Sequence, residues 1–242
     1  MRIVQAEVVK DLNHMRNREG SQVQMIILDD VMPVYRFFRE RSHAEQLIQG
    51  VVWLSTLGTC RGYEEDGRGD AAEATQVYTS GEVSGTGTDP DVQHVAQHSG
   101  IKFEIAPGAK INHVIIKDAT YLRGIKDAFV LCASQKFDPS CMETFGPYCV
   151  EISRPRSFLW LVTMRLGLQQ PLGEAIMGKI RYLDRSYSGL QTQPGVLGFV
   201  KPAQFASQQE FRMLWTIRGK GRTLEPETVA CPEIRALCRM VF

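Results

Sequence analysis

Short apolar stretches alternate with polar ones along the chain, and the clearest pattern lies near its start. The segment Val34–Phe38 is rich in the β-branched and aromatic residues that favour a strand. A short helix is predicted next, because Ser42 suits the N-cap, Glu45 completes a capping box and Gly50 ends the pattern. Residues 51–57 then predict another strand. This region therefore reads as a strand, a short helix and a strand in succession.

The rest of the chain predicts more strands than helices. Residues 58–75 and 81–91 are polar and rich in glycine, which favours loops. The remaining elements are predicted as follows: strands at 101–105, 111–117, 128–133, 148–152, 179–184 and 209–217, one or two helical turns at 139–145, a helix at 155–167, a strand or short helix at 234–242, and a weak helix and strand within 1–30. Without regular β–α alternation, this pattern predicts an α+β fold with mixed or antiparallel sheets and short helices. Neither a repeat nor a proline-rich linker interrupts the chain, so one domain over residues 1–242 is expected.

The late strand carries the first candidate chemistry. Side chains alternate along a strand, so Gln208, Glu210 and Arg212 share one face. The other face carries Phe211, Met213 and Trp215, which suits a core. The polar row is either a solvated face with a carboxylate–guanidinium pair or part of a site.

Two earlier strands add polar groups in apolar surroundings. Arg36 lies between Val34 and Phe38 on one strand face, where its guanidinium needs an anionic partner. Ser55 and Thr56 place hydroxyls in the otherwise apolar strand that follows. The structural alternatives are an Arg36–Glu210 ion pair in the core and a satisfied core hydroxyl at Ser55.

Composition narrows the class of protein. The chain has 242 residues, of which 43% are hydrophobic. Its formal net charge is +1, so the charge of the whole chain does not indicate a nucleic-acid or membrane partner. It has no apolar stretch long enough for a membrane span or a signal peptide, so a cytoplasmic location is expected. Its six cysteines lack a C-x-x-C spacing and are expected to be free and mostly buried.

Three further patterns are weaker. His94 and His98 share a helix face but have no third ligand in register, so no metal site is expected. The charged segment from Glu64 to Glu73 is either a solvated loop or a lid over a site. Aromatic and basic residues around Tyr35 either pack as an ordinary strand or bind single-stranded nucleic acid.

The order of these motifs resembles that of the Arg–Ser–Glu class of ADP-ribosyltransferases. It is also similar to an uncharacterised bacterial family, a domain of unknown function. The matching motifs lie between about residues 33 and 215 and are Tyr35-Arg36, Leu47 to Ser55, Cys132-Ala133-Ser134, Phe145-Gly146 with Val150-Glu151-Ile152, and Gln208-Gln209-Glu210-Phe211-Arg212. The resemblance implies a split-sheet core at residues 31–220, with residues 1–30 as an extension.

The resemblance also implies roles. Arg36 would hold a phosphate or ribose of NAD, with Tyr35 beside it and Ser55 and Thr56 bracing the nucleotide pocket. Glu210 would stabilise the oxocarbenium-like cation as nicotinamide leaves. Gln208 would orient the acceptor, a protein or nucleic acid, as in a toxin or an effector of phage–host conflict. The alternative is a non-enzymatic module that binds a nucleotide or a protein, with Arg36 and Glu210 as a structural ion pair.

Overall fold

The computed structural model describes residues 7–8, 18–62, 70–103, 110–138, 145–219 and 223–242, with the backbone alone at 7–8. It divides into two compact units. Unit 1 comprises Met1–Glu73, Lys126–Ile180 and Gln204–Phe242, and unit 2 comprises Ala74–Ile125 and Arg181–Ala203. The expectation of one domain over 1–242, with a core at 31–220, stays a prediction.

Strands dominate the secondary structure. In chain order they are β1 (Glu7–Val8), β2 (Gln24–Ile27), β3 (Val34–Phe38), β4 (Val51–Thr56), β5 (Thr75–Thr79), β6 (Glu82–Gly85), β7 (Val114–Lys117), β8 (Thr120–Gly124), β9 (Ala128–Ser134), β10 (Tyr148–Ile152), β11 (Leu172–Lys179), β12 (Arg181–Tyr182), β13 (Ser186–Ser188), β14 (Val200–Lys201), β15 (Glu210–Ile217), β16 (Glu227–Ala230) and β17 (Cys238–Met240). The α-helices are α1 (Arg41–Ile48), α2 (Leu57–Arg61), α3 (Pro90–His98) and α4 (Pro155–Gln169), and 3-10 helices span Ala203–Gln208 and Pro232–Leu237.

The main sheet of unit 1 is mixed and forks at β9. Its strand order is β1-β2-β11-β15-β9-β3-β10-β17, and β4 also pairs with β9 and carries β16 on its far side. The strands pair antiparallel except β2 and β11, which are parallel. The predicted α+β class with mixed or antiparallel sheets and short helices is thereby confirmed.

One face of this sheet packs against the helices and forms the core of unit 1. This core face carries Val34, Val150, Phe211 and Met213, all fully buried. Trp215 lies on the same face and donates a hydrogen bond through its indole nitrogen to the Thr163 hydroxyl of α4, at 2.8 Å. Phe211, Met213 and Trp215 therefore face the core, as the alternation predicted.

The opposite face of the sheet carries polar side chains and is called here the polar face. Register defines it, because residues opposite each other on paired strands point to the same side. Tyr35 lies opposite both Glu151 and Ser134, and Ser134 lies opposite Glu210. Arg212 lies opposite Cys132 on the same pair of strands as Ser134 and Glu210. These side chains therefore share one face of the sheet.

The local pattern around α1 was predicted well, with one error at its start. The helix begins at Arg41 after Glu40, whose side chain makes no capping hydrogen bond, so the Ser42 capping box is wrong. Gly50 does end the segment, with φ +86°. Strand β4 ends at Thr56, and the short helix α2 begins at Leu57. This helix was not predicted, because the sequence at 58–75 indicated a loop.

Other predictions needed larger correction. The predicted loop at 81–91 contains β6 and the start of α3. The predicted strand at 179–184 is reduced to β12, while Lys179 belongs to β11, which the sequence did not reveal. Residues 101–103 form no strand, and 104–105 lie outside the described residues, as do 139–144 of the expected helical turns.

Among its described residues, unit 2 holds three small sheets and one α-helix. Its sheets have the orders β13-β5-β8 and β6-β7, and a two-stranded pair joins β12 to β14. Helix α3 packs Val92, Val95 and Ala96 against Ile116 of β7. Across the described residues, no helix combines the length and apolar character that a bilayer crossing requires.

Candidate functional site

The polar face of unit 1 contains a buried carboxylate–guanidinium–carboxylate triad. The Arg212 guanidinium donates a 2.8 Å hydrogen bond through Nε to Glu210 Oε1 and another of 2.8 Å through Nη1 to Glu73 Oε1. Arg212 Nη2 lies 2.7 Å from the same Glu210 oxygen. Arg212 is 1% exposed, Glu210 4% and Glu73 2%. The triad is therefore almost fully removed from water.

The electrostatics of the triad hold the arginine in its charged form. Burial alone would lower the pKa of Arg212, but the carboxylates of Glu210 and Glu73 outweigh that penalty. Their combined effect raises the pKa of the guanidinium well above its ordinary value. Because two carboxylates face one guanidinium, the triad carries a formal charge of −1 when all three groups are ionised.

This geometry corrects the expectation of a solvated polar row on β15. Glu210 and Arg212 do share a face, but that face is buried at these positions. Glu73 and Asp70 are buried as well, so the charged loop is not solvated at these two positions, and its residues 64–69 lie outside the described residues. The sequence indicated the alternation of β15 correctly and gave no sign that its second face is also covered.

Gln208 does not belong to the row in which it was predicted. It is the last residue of the 3-10 helix Ala203–Gln208, and β15 begins only at Glu210. Between them, Gln209 has φ +42°, which breaks the alternation of a strand. The proposed side-by-side amide and carboxylate of Gln208 and Glu210 therefore have no common strand face.

Arg36 and Glu210 lie on opposite faces of the main sheet. Arg36 is opposite Val150 in the β3–β10 register, on the core face. Glu210 is on the polar face, where it lies opposite Ser134 of β9, and Ser134 in turn lies opposite Tyr35 of β3. An Arg36–Glu210 ion pair would have to pass through the sheet, so that structural alternative is wrong. Arg212 is the partner of Glu210 instead.

Arg36 joins the two branches of the fork. Its Nη2 donates a 3.1 Å hydrogen bond to the backbone carbonyl of Trp53 on β4. Its guanidinium also lies over the ring of Phe38, 5.2 Å from the centroid, a cation–π contact. The side chain thus bridges β3 and β4 where the two strands diverge on the same edge of β9.

Ser55 and Thr56 have different environments although they are neighbours on β4. The Thr56 hydroxyl accepts a 3.0 Å hydrogen bond from the Thr59 amide and so caps α2. The Ser55 hydroxyl is buried and has no hydrogen-bond partner among the described residues. An orphaned hydroxyl of this kind needs an explanation, and a bound ligand is one.

A second charged group crosses three strands of the polar face. The carboxylate of Glu151 on β10 accepts two 2.9 Å hydrogen bonds from Nε and Nη2 of Arg239 on β17. Tyr35 on β3 stands on the other side of Glu151, and burial followed by the charge of Glu151 raises the pKa of its phenol. The bidentate bond to Glu151 raises the pKa of Arg239 too. The Arg239 side chain is 72% exposed, so a fixed guanidinium faces solvent here.

Aromatic rings gather beside this guanidinium. The ring of Phe137 lies 5.9 Å from Tyr35, 6.1 Å from Phe37 and 6.3 Å from Phe242, measured between centroids. Phe242 is 67% exposed, and the other three are partly buried. These four residues are called the aromatic patch. Lys136, which precedes Phe137 in the chain, is exposed.

Sequence reasoning assigned no site role to three of these groups. Glu151 stands in the apolar strand Tyr148–Ile152, and a carboxylate in such a strand signals a cationic partner, although its identity as Arg239 could not be read from spacing. Glu73 was noted only as part of a charged loop. Phe137 gave no signal at all, because a single phenylalanine after a strand is ordinary.

Metal binding finds no support in the part of the chain that the structure describes. No cluster of three or more histidine, cysteine or carboxylate side chains there has the geometry to hold an ion. His94 and His98 stack with ring centroids 4.2 Å apart, and His98 Nδ1 lies 2.9 Å from the carbonyl of His94.

Comparison of the chain with protein-family models, with curated proteins and with solved structures finds no match.

Proposed function

We propose that this protein is a nucleotide-binding module that does not transform its ligand. The observation that carries the proposal is the aromatic patch beside a fixed guanidinium on one face of the sheet. Phe137 and Phe242 offer flat apolar surfaces on which a base stacks, and Arg239 offers a donor to a phosphate or a base edge. The pairing of Arg239 with Glu151 fixes that donor before a ligand arrives.

A binding role without chemistry is supported by the state of Glu210. A carboxylate that stabilises a developing cation has to face the reacting atoms. The Glu210 carboxylate faces Arg212 instead, at 2.7 Å, and is 4% exposed. Its negative charge is already paired with the Arg212 guanidinium, which weakens any further interaction with a cationic transition state. The position of Arg36 on the opposite face argues in the same direction.

The second candidate function is NAD-dependent ADP-ribosyl transfer, favoured by Ser55. Its buried hydroxyl lacks a partner among the described residues, on the strand where the resemblance implies a nucleotide pocket. The fork between β3 and β4, bridged by Arg36, is compatible with a split sheet. In this candidate NAD is the substrate, Arg36, Tyr35, Ser55 and Thr56 bind it, and Glu210 with Gln208 supports transfer to a protein or nucleic acid.

Two measurements on the same protein separate the candidates. Isothermal titration with AMP and with NAD tests binding, and release of nicotinamide from NAD in the presence of cell extract tests transfer. The proposal expects nucleotide binding without nicotinamide release. Nicotinamide release that Glu210→Gln abolishes would overturn it in favour of the transferase. Absence of binding to both nucleotides would also contradict it.

The stability of Glu210→Gln provides an independent check. A structural triad predicts a clear loss of unfolding free energy, because Arg212 then keeps a neutral amide where it had a charged, buried partner. Glu45→Gln is the matched control, since its carboxylate pairs with Arg41 while 46% exposed. That surface pair contributes about 0–1 kcal/mol. Equal effects of the two substitutions would show that the triad is not a structural element.

A further inference from the structure

We infer that the aromatic patch binds single-stranded nucleic acid, with bases stacked on Phe137 and Phe242 and phosphates near Lys136 and Arg239. This inference rests on the proposed function and names its ligand more narrowly. Three observations lead to it: the arrangement of the rings, the cations beside them, and the net charge of the chain.

Two of the four rings are carried by strand β3, and the other two follow strands β9 and β17. Tyr35 and Phe37 alternate with core residues along β3, so both project from the polar face. Phe242 lies beside β10, where its carbonyl accepts a 3.1 Å hydrogen bond from the Cys149 amide. Phe137 contacts all three other rings and holds them together. A sheet face with projecting aromatic side chains is the geometry on which unpaired bases stack.

The cations beside the rings are available for phosphate contacts. Arg239 uses Nε and Nη2 for Glu151, and among the described residues its Nη1 has no hydrogen-bond acceptor. Lys136 is exposed and forms no ion pair with any described side chain. Two donors next to a stacking surface suit a backbone that passes the rings, because each nucleotide brings one phosphate and one base.

The charge of the whole chain favours single strands over a duplex. A formal net charge of +1 gives no broad basic footprint of the kind that duplex binding uses. A single strand exposes the faces of its bases, and stacking on aromatic rings then supplies affinity that does not depend on many ion pairs. Binding should accordingly depend only weakly on salt. With one or two phosphate contacts, the slope of log K against log salt is about −0.7 to −1.4.

The test is fluorescence anisotropy of the full chain with a labelled 12-nucleotide RNA, the same sequence as DNA, and a duplex of that DNA. Phe242→Ala should weaken binding to the single strands about 5- to 150-fold, the range of one lost stacking contact. Phe242→Trp, which keeps an aromatic ring at this position, should retain binding. Lys136→Gln should weaken binding less and flatten the salt dependence.

Matched controls keep the result interpretable. Leu168→Ala removes an apolar side chain that is 68% exposed on α4, and Lys179→Gln removes an exposed cation from the same unit. Both should bind like the unaltered protein. Since Phe242 is exposed, its substitution leaves the core intact, which thermal unfolding verifies.

The outcomes separate this inference from the proposed function. Binding of AMP without binding of either oligonucleotide would overturn the inference and leave the function standing. Absence of both would overturn both. Oligonucleotide binding that the substitutions at 242 and 136 leave unchanged would place the site elsewhere. Self-association that depends on Phe242, with no nucleic-acid binding, would assign the patch to a protein contact.

Discussion

Arg212 reaches the carboxylate of Glu73 across 139 positions of sequence, with 2.8 Å between Nη1 and Oε1. Both side chains are at most 2% exposed. This bond and the one to Glu210 give the buried Arg212 guanidinium two anionic partners. Its energetic role follows from what a substitution would leave behind.

Arg212→Met should destabilise the protein by roughly 3–5 kcal/mol, because it leaves two buried carboxylates without their cation. Chemical denaturation with urea measures the loss. The triple variant Arg212→Met, Glu73→Gln, Glu210→Gln should be more stable than Arg212→Met alone, since the uncompensated charges are gone. A triple variant as unstable as the sum of its single substitutions would contradict the triad's role as one charged unit.

Gly50→Ala should destabilise the turn between α1 and β4. The residue has φ +86°, and an added Cβ would lie 2.6 Å from Pro232 Cα and 2.9 Å from the Cys231 carbonyl oxygen. Strain at positive φ costs about 1–2 kcal/mol, and the backbone clash adds to it. Gly20→Ala is the control, because it has φ +74° and nothing within 4 Å of the new Cβ. Equal unfolding free energies for the two variants would show that the Pro232 contact does not matter.

Cysteine labelling should distinguish Cys132 from the buried thiols. Cys132 is exposed, whereas Cys149, Cys231 and Cys238 are buried. Burial, with the neighbouring Glu233 adding to it, raises the pKa of Cys231 to about 11. Burial raises the pKa of Cys238 to about 12. The thiolate is the reactive form, so these two should resist alkylation at pH 8 in the folded protein.

Peptide mass spectrometry after a short exposure to iodoacetamide reads this out. Modification at position 132 should appear first, and Cys132→Ser should lose that signal without exposing the buried thiols. Rapid modification of Cys238 in folded protein would contradict its burial.

Stability should fall at alkaline pH, and the same two thiols set the direction. An unfolded cysteine with a pKa near 9 loses its proton before the folded one, so between about pH 9 and 12 the folded state binds more protons. The contribution is fully present below pH 9 and is lost as pH rises through the folded pKa values. Unfolding free energies from pH 8 to 11 should therefore decline more steeply for the unaltered chain than for Cys231→Ala, Cys238→Ala. Parallel curves would rule out these thiols as the cause.

The local parts of the fold were readable from sequence because their signals are local. The strand, helix and strand from Val34 to Thr56 followed from side-chain pattern and from Gly50, and the core side of β15 followed from alternation. The start of α1 was placed two residues too late, since the N-cap is Glu40 and the predicted cap Ser42 lies inside the helix. Errors in the position of a helix end remain small, because the neighbouring residues also indicate where the helix begins.

The candidate site could be predicted only in part because its contacts are not local. Glu210 was singled out, and the ion pair offered for it as the structural alternative was with Arg36. The side on which Arg36 points depends on the register of β3 against β9 and β10. Gln208 was placed on the strand because nothing in its sequence announces the positive φ of Gln209. Glu73 could not be paired with Arg212 by any spacing rule.

The distance in sequence between Glu73 and Arg212 also bears on synthesis at the ribosome. Glu73 emerges long before Arg212, so its carboxylate stays in water until the later strand has been made. Burying the Glu73 carboxylate earlier would leave an unpaired charge out of contact with water, which is energetically costly. Strand β9, which lies between β15 and the early strands, likewise waits for that partner. The sheet of unit 1 is therefore expected to close after translation of β15, and a chain paused before Arg212 should remain sensitive to protease around Glu73.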